Sequence, residues 1–213
     1  MNHILKTNII SFSFAIVCLV LFFFFPTGEL KFETFITAII FLLILPVLYT
    51  KIILHKTYKD LGFTSWTLIL RDGFFLLSTV VVGGLLSFLV ISLQWGVQSY
   101  LMSLSGVMLF NFGAFAIYEI FFASTALFLF TFFSWGFVYS IKCRNQTHSF
   151  IAATISFMTL LIYFYNSVWV ILPMLVPVFF VPYIRDKKNI VYMFLAVFII
   201  ALILDTLIIK SFA

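Results

Sequence analysis

Two acidic side chains stand out because each interrupts a long apolar run. Glu119 is the single charged residue between residues 107 and 141, and Asp205 interrupts the last apolar run, residues 190–209. A carboxylate is costly to place inside a lipid bilayer, so acidic residues within membrane helices typically mark ion sites, substrate sites or proton relays. Glu119 and Asp205 are therefore the candidate binding residues of this sequence.

Patterns typical of enzymes are missing. The three histidines, His3, His55 and His148, fall in the N-terminus or in polar loops, and none has a second histidine or a carboxylate at i+3 or i+4. No helix face therefore offers two zinc ligands. Cys18 and Cys143 are expected at different levels of the membrane, as free thiols. The chain has no P-loop and no dinucleotide-binding glycine pattern. We expect no catalytic residue, no metal site and no cofactor, and the residues favour a protein that is not an enzyme.

The composition excludes a soluble protein. Of 213 residues, 64% are hydrophobic and only 9% are charged, and the mean hydropathy is +1.24, whereas soluble domains carry about 25% charged residues. A disordered chain and a nucleic-acid binder are also excluded, because the net charge of +5 comes from short clusters between apolar runs. The composition predicts an all-α, multi-pass protein of the cell membrane, with the lipid bilayer as its first partner.

The apolar runs predict the spanning helices within one integral membrane domain, residues 1–213. A span needs about 20 residues. The runs 107–141 and 149–184 are too long for single straight spans, since each would measure about 50 Å as a helix against a hydrocarbon core of about 30 Å. We treat the first as one span with an interfacial lead-in and the second as a hairpin that turns at Asn166-Ser167. About seven helices result, at residues 9–25, 34–50, 73–95, 115–140, 149–165, 168–184 and 190–209.

The distribution of positive charge supports this division and predicts the orientation. Cytoplasmic loops carry an excess of Lys and Arg. With seven helices, ten of the twelve basic residues share one side, and only Lys31 and Lys210 lie on the other. We therefore predict a cytoplasmic N-terminus and a C-terminus outside. The ten residues are Lys6, Lys51, Lys56, Lys59, Arg71, Lys142, Arg144, Arg185, Lys187 and Lys188.

Aromatic residues, prolines and small residues give further expectations. Trp and Tyr favour the membrane interfaces. Pro173, Pro177 and Pro182 should kink predicted helix 6, and Gly83-Gly84 should allow another helix to approach predicted helix 3 closely. In the seven-helix arrangement, Trp95, Tyr100, Tyr165 and Trp169 fall at the outer interface, and Trp135, Tyr139, Tyr183 and Tyr192 at the inner one.

The same topology places both acids in the outer half of the bilayer. Glu119, next to Tyr118, is on predicted helix 4, and Asp205, followed by Thr206, is on predicted helix 7. Two arrangements are open. The acids could face one polar pocket, or each could lie near the boundary and reach headgroups or water.

The order of segments resembles a known family. The run Ile44-Leu45-Pro46-Val47-Leu48-Tyr49, a basic loop, and Lys59-Asp60-Leu61-Gly62-Phe63 together resemble the start of the CPBP (CAAX-processing and bacteriocin-processing) intramembrane metalloproteases. The resemblance spans roughly residues 34–209. It implies a helical membrane bundle with Glu-Glu-x-x-x-Arg, Phe-x-x-x-His and His-x-x-x-Asn motifs on its helices.

The catalytic motifs of that family are not retained. If Glu119 is aligned with the first motif, Ala123 stands where the family has Arg, and the alternative alignment over residues 130–137 has no acid and puts Trp135 there. In the later motifs, Leu161 and Val197 replace the histidines and Ala201 replaces the asparagine; these side chains offer no zinc ligand. The resemblance therefore implies a pseudoenzyme.

Three functions remain open. The first is a non-catalytic, CPBP-like protein that binds a membrane peptide or another membrane protein. The second is a small transporter or transporter subunit with Glu119 and Asp205 in a polar site. The third is an active CPBP-type protease with a site that the motifs do not reveal.

Overall fold

The computed structural model describes residues 2–25, 31–57, 59–63, 73–94, 97, 112–141, 146–183 and 189–212. Every regular element in these ranges is a helix, which confirms the all-α class. We number the helices in chain order: α1 is Asn2–Phe24, α2 is residues 31–53, α3 is Gly73–Ser92, α4 is residues 112–138, α5 is Gln146–Tyr165, α6 is Val168–Phe180 and α7 is Ile190–Phe212.

Six of these helices, all except α6, are long and apolar enough to cross a membrane. A helix that is apolar on all sides must face lipid or the interior of a bundle, and many large apolar side chains on α1, α3 and α5 are exposed at the surface of the protein. The chain is a helical membrane protein. Its membrane-facing surface is formed by side chains such as Ile16, Phe24, Leu77, Leu85 and Ile155.

Helix α6 is broken by its prolines, as the sequence predicts. An α-helical turn, Val168–Ile171, is followed by the 3₁₀ turn Pro173–Leu175, the α-helical segment Val176–Phe180 and a second 3₁₀ turn, Val181–Tyr183. Proline has no backbone N–H and clashes with the preceding turn, so each proline is the first or second residue of a new segment.

The boundary between α5 and α6 lies at the predicted turn. Asn166 has a left-handed backbone, with φ of 50°, which a short polar residue tolerates. The hydroxyl of Ser167 accepts a hydrogen bond from the backbone N–H of Val170 at 3.4 Å and so caps α6.

Helix α7 lies at the centre of the bundle and packs against α3, α4 and α6. Its contact with α3 depends on Gly83, because a Cβ atom there would overlap the side chain of Ile200 and would lie 2.7 Å from its Cγ1 atom. The small residue lets the two helices approach closely, as predicted from Gly83-Gly84. Helix α5 packs against the second half of α4.

Helices α1 and α2 are joined by polar and aromatic contacts. The hydroxyls of Ser11 and Tyr49 lie 3.1 Å apart, and the ring of Phe14 stacks on that of Tyr49 with centroids 4.2 Å apart. Helices α2 and α4 also contain π-helical turns, in which each backbone hydrogen bond spans one residue more than in an α-helix. These turns are Ile39–Ile44, Tyr49–Ile53, Tyr118–Ala123 and Phe132–Val138.

Several of the aromatic residues predicted at the membrane interfaces pack inside the protein and do not face its surface. Trp135, Tyr139, Tyr165 and Tyr192 are buried inside the protein, whereas Trp169 is 47% exposed. The buried rings find partners there: Trp135 packs on Tyr139 and Phe150. Ring pairs of this kind are favourable beyond the apolar area that they bury. Trp95, Tyr100 and the side chain of Tyr183 lie outside the described residues.

Most of the basic residues used for the orientation also lie outside the described part of the chain, as does Cys143. Lys56 is described. Its Nζ atom donates a hydrogen bond of 2.6 Å to the backbone carbonyl of Ser140, just beyond the end of α4. This contact joins the loop after α2 to the loop after α4, and both loops share one side in the predicted topology.

Candidate functional site

Glu119 lies in the first π-helical turn of α4, Tyr118–Ala123. Its side chain points into the bundle and is only 2% exposed. Asp205 lies in the second half of α7 and is fully buried. Because α7 packs along α4, Glu119 and Asp205 lie close together although they are distant in sequence.

The side chains of Glu119 and Asp205 interact with each other. Of the two arrangements that the sequence leaves open, this burial and contact favour a shared interior site over separate contacts with headgroups or water. Apart from Asp205, neither carboxyl oxygen of Glu119 has a hydrogen-bond partner among the described residues. A buried carboxyl that lacks other hydrogen bonds has been desolvated without full compensation.

Two tyrosines complete the polar cluster. Tyr118, from α4, interacts electrostatically with both acids, and Tyr165, at the end of α5, interacts with both acids and with Tyr118. Tyr165 is fully buried. The cluster of Tyr118, Glu119, Tyr165 and Asp205 thus joins α4, α5 and α7, and we call it the acid cluster.

The charge of the acid cluster limits what it can bind. Two neighbouring carboxylates repel each other, and in an interior of low dielectric constant this repulsion is poorly screened. A second negative charge there requires a compensating proton or cation. Carboxylate and phenol oxygens are hard ligands, which suit protons and small cations and do not suit anions.

An aromatic cavity of about 280 Å³ lies next to the acid cluster. Tyr118 belongs to both, since it lines the cavity and interacts with both acids. Thr34 and Tyr163 contribute the other hydroxyl groups of the wall. The remaining lining residues are apolar and come from α1, α2, α4 and α5: Phe22, Phe35, Ala38, Phe122, Ala126, Leu129, Phe130 and Phe164.

Phenylalanine and tyrosine rings hold the wall of this cavity together. Tyr163 contacts Phe22 and Phe23 with centroid separations of 5.3 and 5.1 Å, and Phe122 contacts Phe35 at 5.8 Å and Tyr118 at 6.3 Å. Ring pairs at such separations are favourable. They connect α1 to α5 and α2 to α4, so the cavity has walls on both sides.

The positions that resemble protease motifs lie in the core and carry apolar side chains. Leu161, Val197 and Ala201 are fully buried. Among the described residues, no three His, Cys, Asp or Glu side chains lie close enough together to hold a metal ion. His55 and His148 are exposed, away from Glu119 and Asp205.

Two parts of the site escape reasoning from the sequence. The sequence predicts that Tyr165 lies at the membrane interface but not that it belongs to the acid cluster. The abundance of phenylalanine, 31 residues, carries a usable signal, yet which rings would line a cavity depends on contacts between four helices. Comparisons with protein-family models, with curated proteins and with solved structures gave no match.

Proposed function

We propose that this protein is a small membrane transporter, or a transporter subunit, whose Glu119 and Asp205 together bind a proton or a small inorganic cation. The observation that carries the proposal is the contact between these two acids in the interior of the bundle. Acids at membrane depth are costly and persist where an ion or proton must be held.

The composition of the acid cluster supports a cation. Its four members offer carboxyl and phenol oxygens, and among the described residues the hydrogen-bond partner of Glu119 is another acid, Asp205. A site used only for packing would pair a buried carboxyl with neutral or basic donors, because an incompletely compensated buried acid destabilises the fold. A binding site instead leaves its ligating oxygens for the ligand.

The proposal includes a topology of seven spans in the cell membrane, with the N-terminus in the cytoplasm and the C-terminus outside. The turn at Asn166 and Ser167 and the distribution of Lys and Arg support it. In this topology the acid cluster lies in the outer half of the membrane. Broken helices such as α6 are common next to transporter sites, where they permit rearrangement.

Ion flux across reconstituted liposomes tests the proposal. Liposomes that hold the purified protein and a pH-sensitive dye, or a sodium-sensitive dye, would receive an imposed membrane potential that is negative inside. We expect wild-type protein to admit protons or sodium, and Glu119→Gln/Asp205→Asn to lose most of that flux. Glu33→Gln is the matched control, because Glu33 is an exposed acid at the start of α2.

Equal flux of both ions through wild-type protein and the double variant would overturn the proposal. It would favour the second candidate, a non-catalytic, CPBP-like protein that binds a membrane peptide or protein partner. The observation in favour of that candidate is the apolar, fully buried character of Leu161, Val197 and Ala201, where the protease family has its ligands. A non-catalytic binder tolerates loss of both acids.

An active CPBP-type protease is the remaining alternative. It requires a bound metal ion or an activated water. Elemental analysis of the purified protein distinguishes it. Stoichiometric zinc, whose removal by a chelator also abolishes peptide cleavage, would establish the protease and exclude both non-enzymatic functions.

A further inference from the structure

The aromatic cavity and the acid cluster share Tyr118. The cavity offers ring faces and apolar surface, and the acid cluster offers negative charge. Neither acid lines the cavity itself, so the cavity is a second compartment beside the proposed ion site. Its lining includes no Lys, Arg or His, so no basic side chain in its wall offsets the acids.

Such a combination suits an organic cation. The face of an aromatic ring carries partial negative charge and attracts ammonium groups within about 6 Å of its centroid, and quaternary ammonium ions are commonly bound in this way. Seven of the eleven lining residues are Phe or Tyr. Nearby carboxylates strengthen the attraction, because their field extends through an interior of low dielectric constant.

We propose that this cavity binds a small organic cation: a quaternary or protonated amine that carries one compact apolar group. This inference rests on the proposed function, since it names an organic cation that would be carried in addition to the proton or inorganic cation of the acid cluster. The ammonium group lies toward Tyr118, and the apolar group lies among Phe22, Phe35 and Phe130, which line the same cavity.

The size of the cavity limits the substrate. Its volume of about 280 Å³ is just below the usual range for ligand pockets, roughly 300–1,000 Å³. It therefore suits a cation with a single ring and not a long lipid or a drug with several rings. A neutral molecule of the same shape would gain the apolar contacts but not the attraction to the acids or to the ring faces.

Benzyltrimethylammonium and neopentylbenzene make a matched pair of probes, because the second replaces the charged nitrogen with carbon and keeps the shape. Equilibrium dialysis of each radiolabelled probe against the purified protein measures both affinities. We expect benzyltrimethylammonium to bind about tenfold or more tightly than neopentylbenzene, as a desolvated cation–π contact worth about 2 kcal/mol implies. Equal affinities, or no saturable binding of the cation, would overturn the inference.

Variants of neighbouring phenylalanines localise the binding. Phe122 lines the cavity, whereas Phe121, next to it on α4, is 64% exposed and points away. Phe122→Leu should weaken benzyltrimethylammonium by about three- to tenfold, and Phe121→Leu should leave it unchanged. Phe35→Leu provides a second test from α2. Equal effects of Phe121→Leu and Phe122→Leu would place the probe elsewhere and overturn the inference.

The acid variants separate this inference from the proposed function. Glu119→Gln should weaken benzyltrimethylammonium and leave neopentylbenzene unchanged. If wild-type liposomes admit protons or sodium but the organic cation does not bind, the cavity inference fails and the ion site stands. If the organic cation binds and depends on Glu119, but no flux occurs, the cavity inference stands and transport fails.

Discussion

The hydroxyl groups of Thr79 on α3 and Tyr192 on α7 lie 2.6 Å apart in the buried contact between these helices. Both hydroxyls also reach the backbone carbonyl of Phe75, to which Thr79 donates at 2.6 Å and Tyr192 at 3.3 Å. Each helix thereby satisfies a polar group of the other without water. The pair fixes the rotation of α7, and the same rotation turns Asp205 toward α4.

Thr79→Val should destabilise the protein, because it leaves the hydroxyl of Tyr192 without its closest partner. Hydrogen bonds between membrane helices contribute about 0.6–1.7 kcal/mol, and we expect a loss of about 1 kcal/mol. The free energy of unfolding in mixed detergent micelles measures it.

The matched control is Thr159→Val, because Thr159 is exposed and its hydroxyl donates to the carbonyl of Ile155, four residues earlier in its own helix. Its substitution should change stability little. Equal losses in the two variants would show that the contact between α3 and α7 contributes nothing.

Gly83→Ala should separate α3 from α7. The added Cβ would overlap the side chain of Ile200, and overpacking of this kind costs about 1–3 kcal/mol. The unfolding temperature in detergent should fall. Gly84→Ala adds the same methyl group one residue later, where the nearest atom, of Ile203, lies at 3.8 Å, so stability should be unchanged or should rise. If Gly84→Ala is as harmful as Gly83→Ala, helix contact does not explain the requirement for glycine.

Lys56→Met should weaken the junction between the loop after α2 and the end of α4. Lys56 donates to the carbonyl of Ser140, and a hydrogen bond to a charged group contributes about 1.5–3 kcal/mol. Methionine keeps most of the apolar stem and loses the charge. Chemical unfolding of the purified protein should show a loss within that range, whereas Lys59→Met, at an exposed position, should have no effect. If Lys56→Met leaves the free energy of unfolding unchanged, water replaces this hydrogen bond without loss of stability.

Glu119→Leu should stabilise the protein while it abolishes ion flux. The carboxyl of Glu119 is buried, and its hydrogen-bond partner among the described residues is another acid, Asp205; burial of an incompletely compensated polar group costs about 1–3 kcal/mol. Glu33→Leu, at an exposed acid, should not stabilise. A rise in unfolding temperature for Glu119→Leu alone is the expected result. A fall would instead assign Glu119 a structural role.

The sequence locates the two acids but not their contact. An isolated charge in an apolar run can be recognised from the sequence alone, so Glu119 and Asp205 are easily identified as candidates. That α7 packs along α4 and turns Asp205 toward Glu119 depends on contacts such as Gly83 with Ile200. Those contacts join residues more than a hundred positions apart, and no local pattern encodes them.

Depth in the membrane is easier to predict than rotation about a helix axis. Tyr165 is the last residue of the predicted helix 149–165, and that places it near a boundary. The direction of its ring could be predicted only from the amphipathicity of the helix, and helices that are apolar on all sides have almost none. The sequence therefore does not predict that Tyr165, Trp135 and Tyr192 are enclosed by neighbouring helices.

The π-helical turn Tyr118–Ala123 has an evolutionary and engineering consequence. Such a turn accommodates one surplus residue, and one residue corresponds to about 100° of rotation in an α-helix. Deletion of a single amino acid there would convert it to a regular turn and leave the flanking parts of α4 in place, whereas a deletion in a regular part of α4 would rotate one part by about that angle relative to the other. The direction in which Glu119 points is thus set by the length of the chain at this turn as much as by the chemistry of its neighbours.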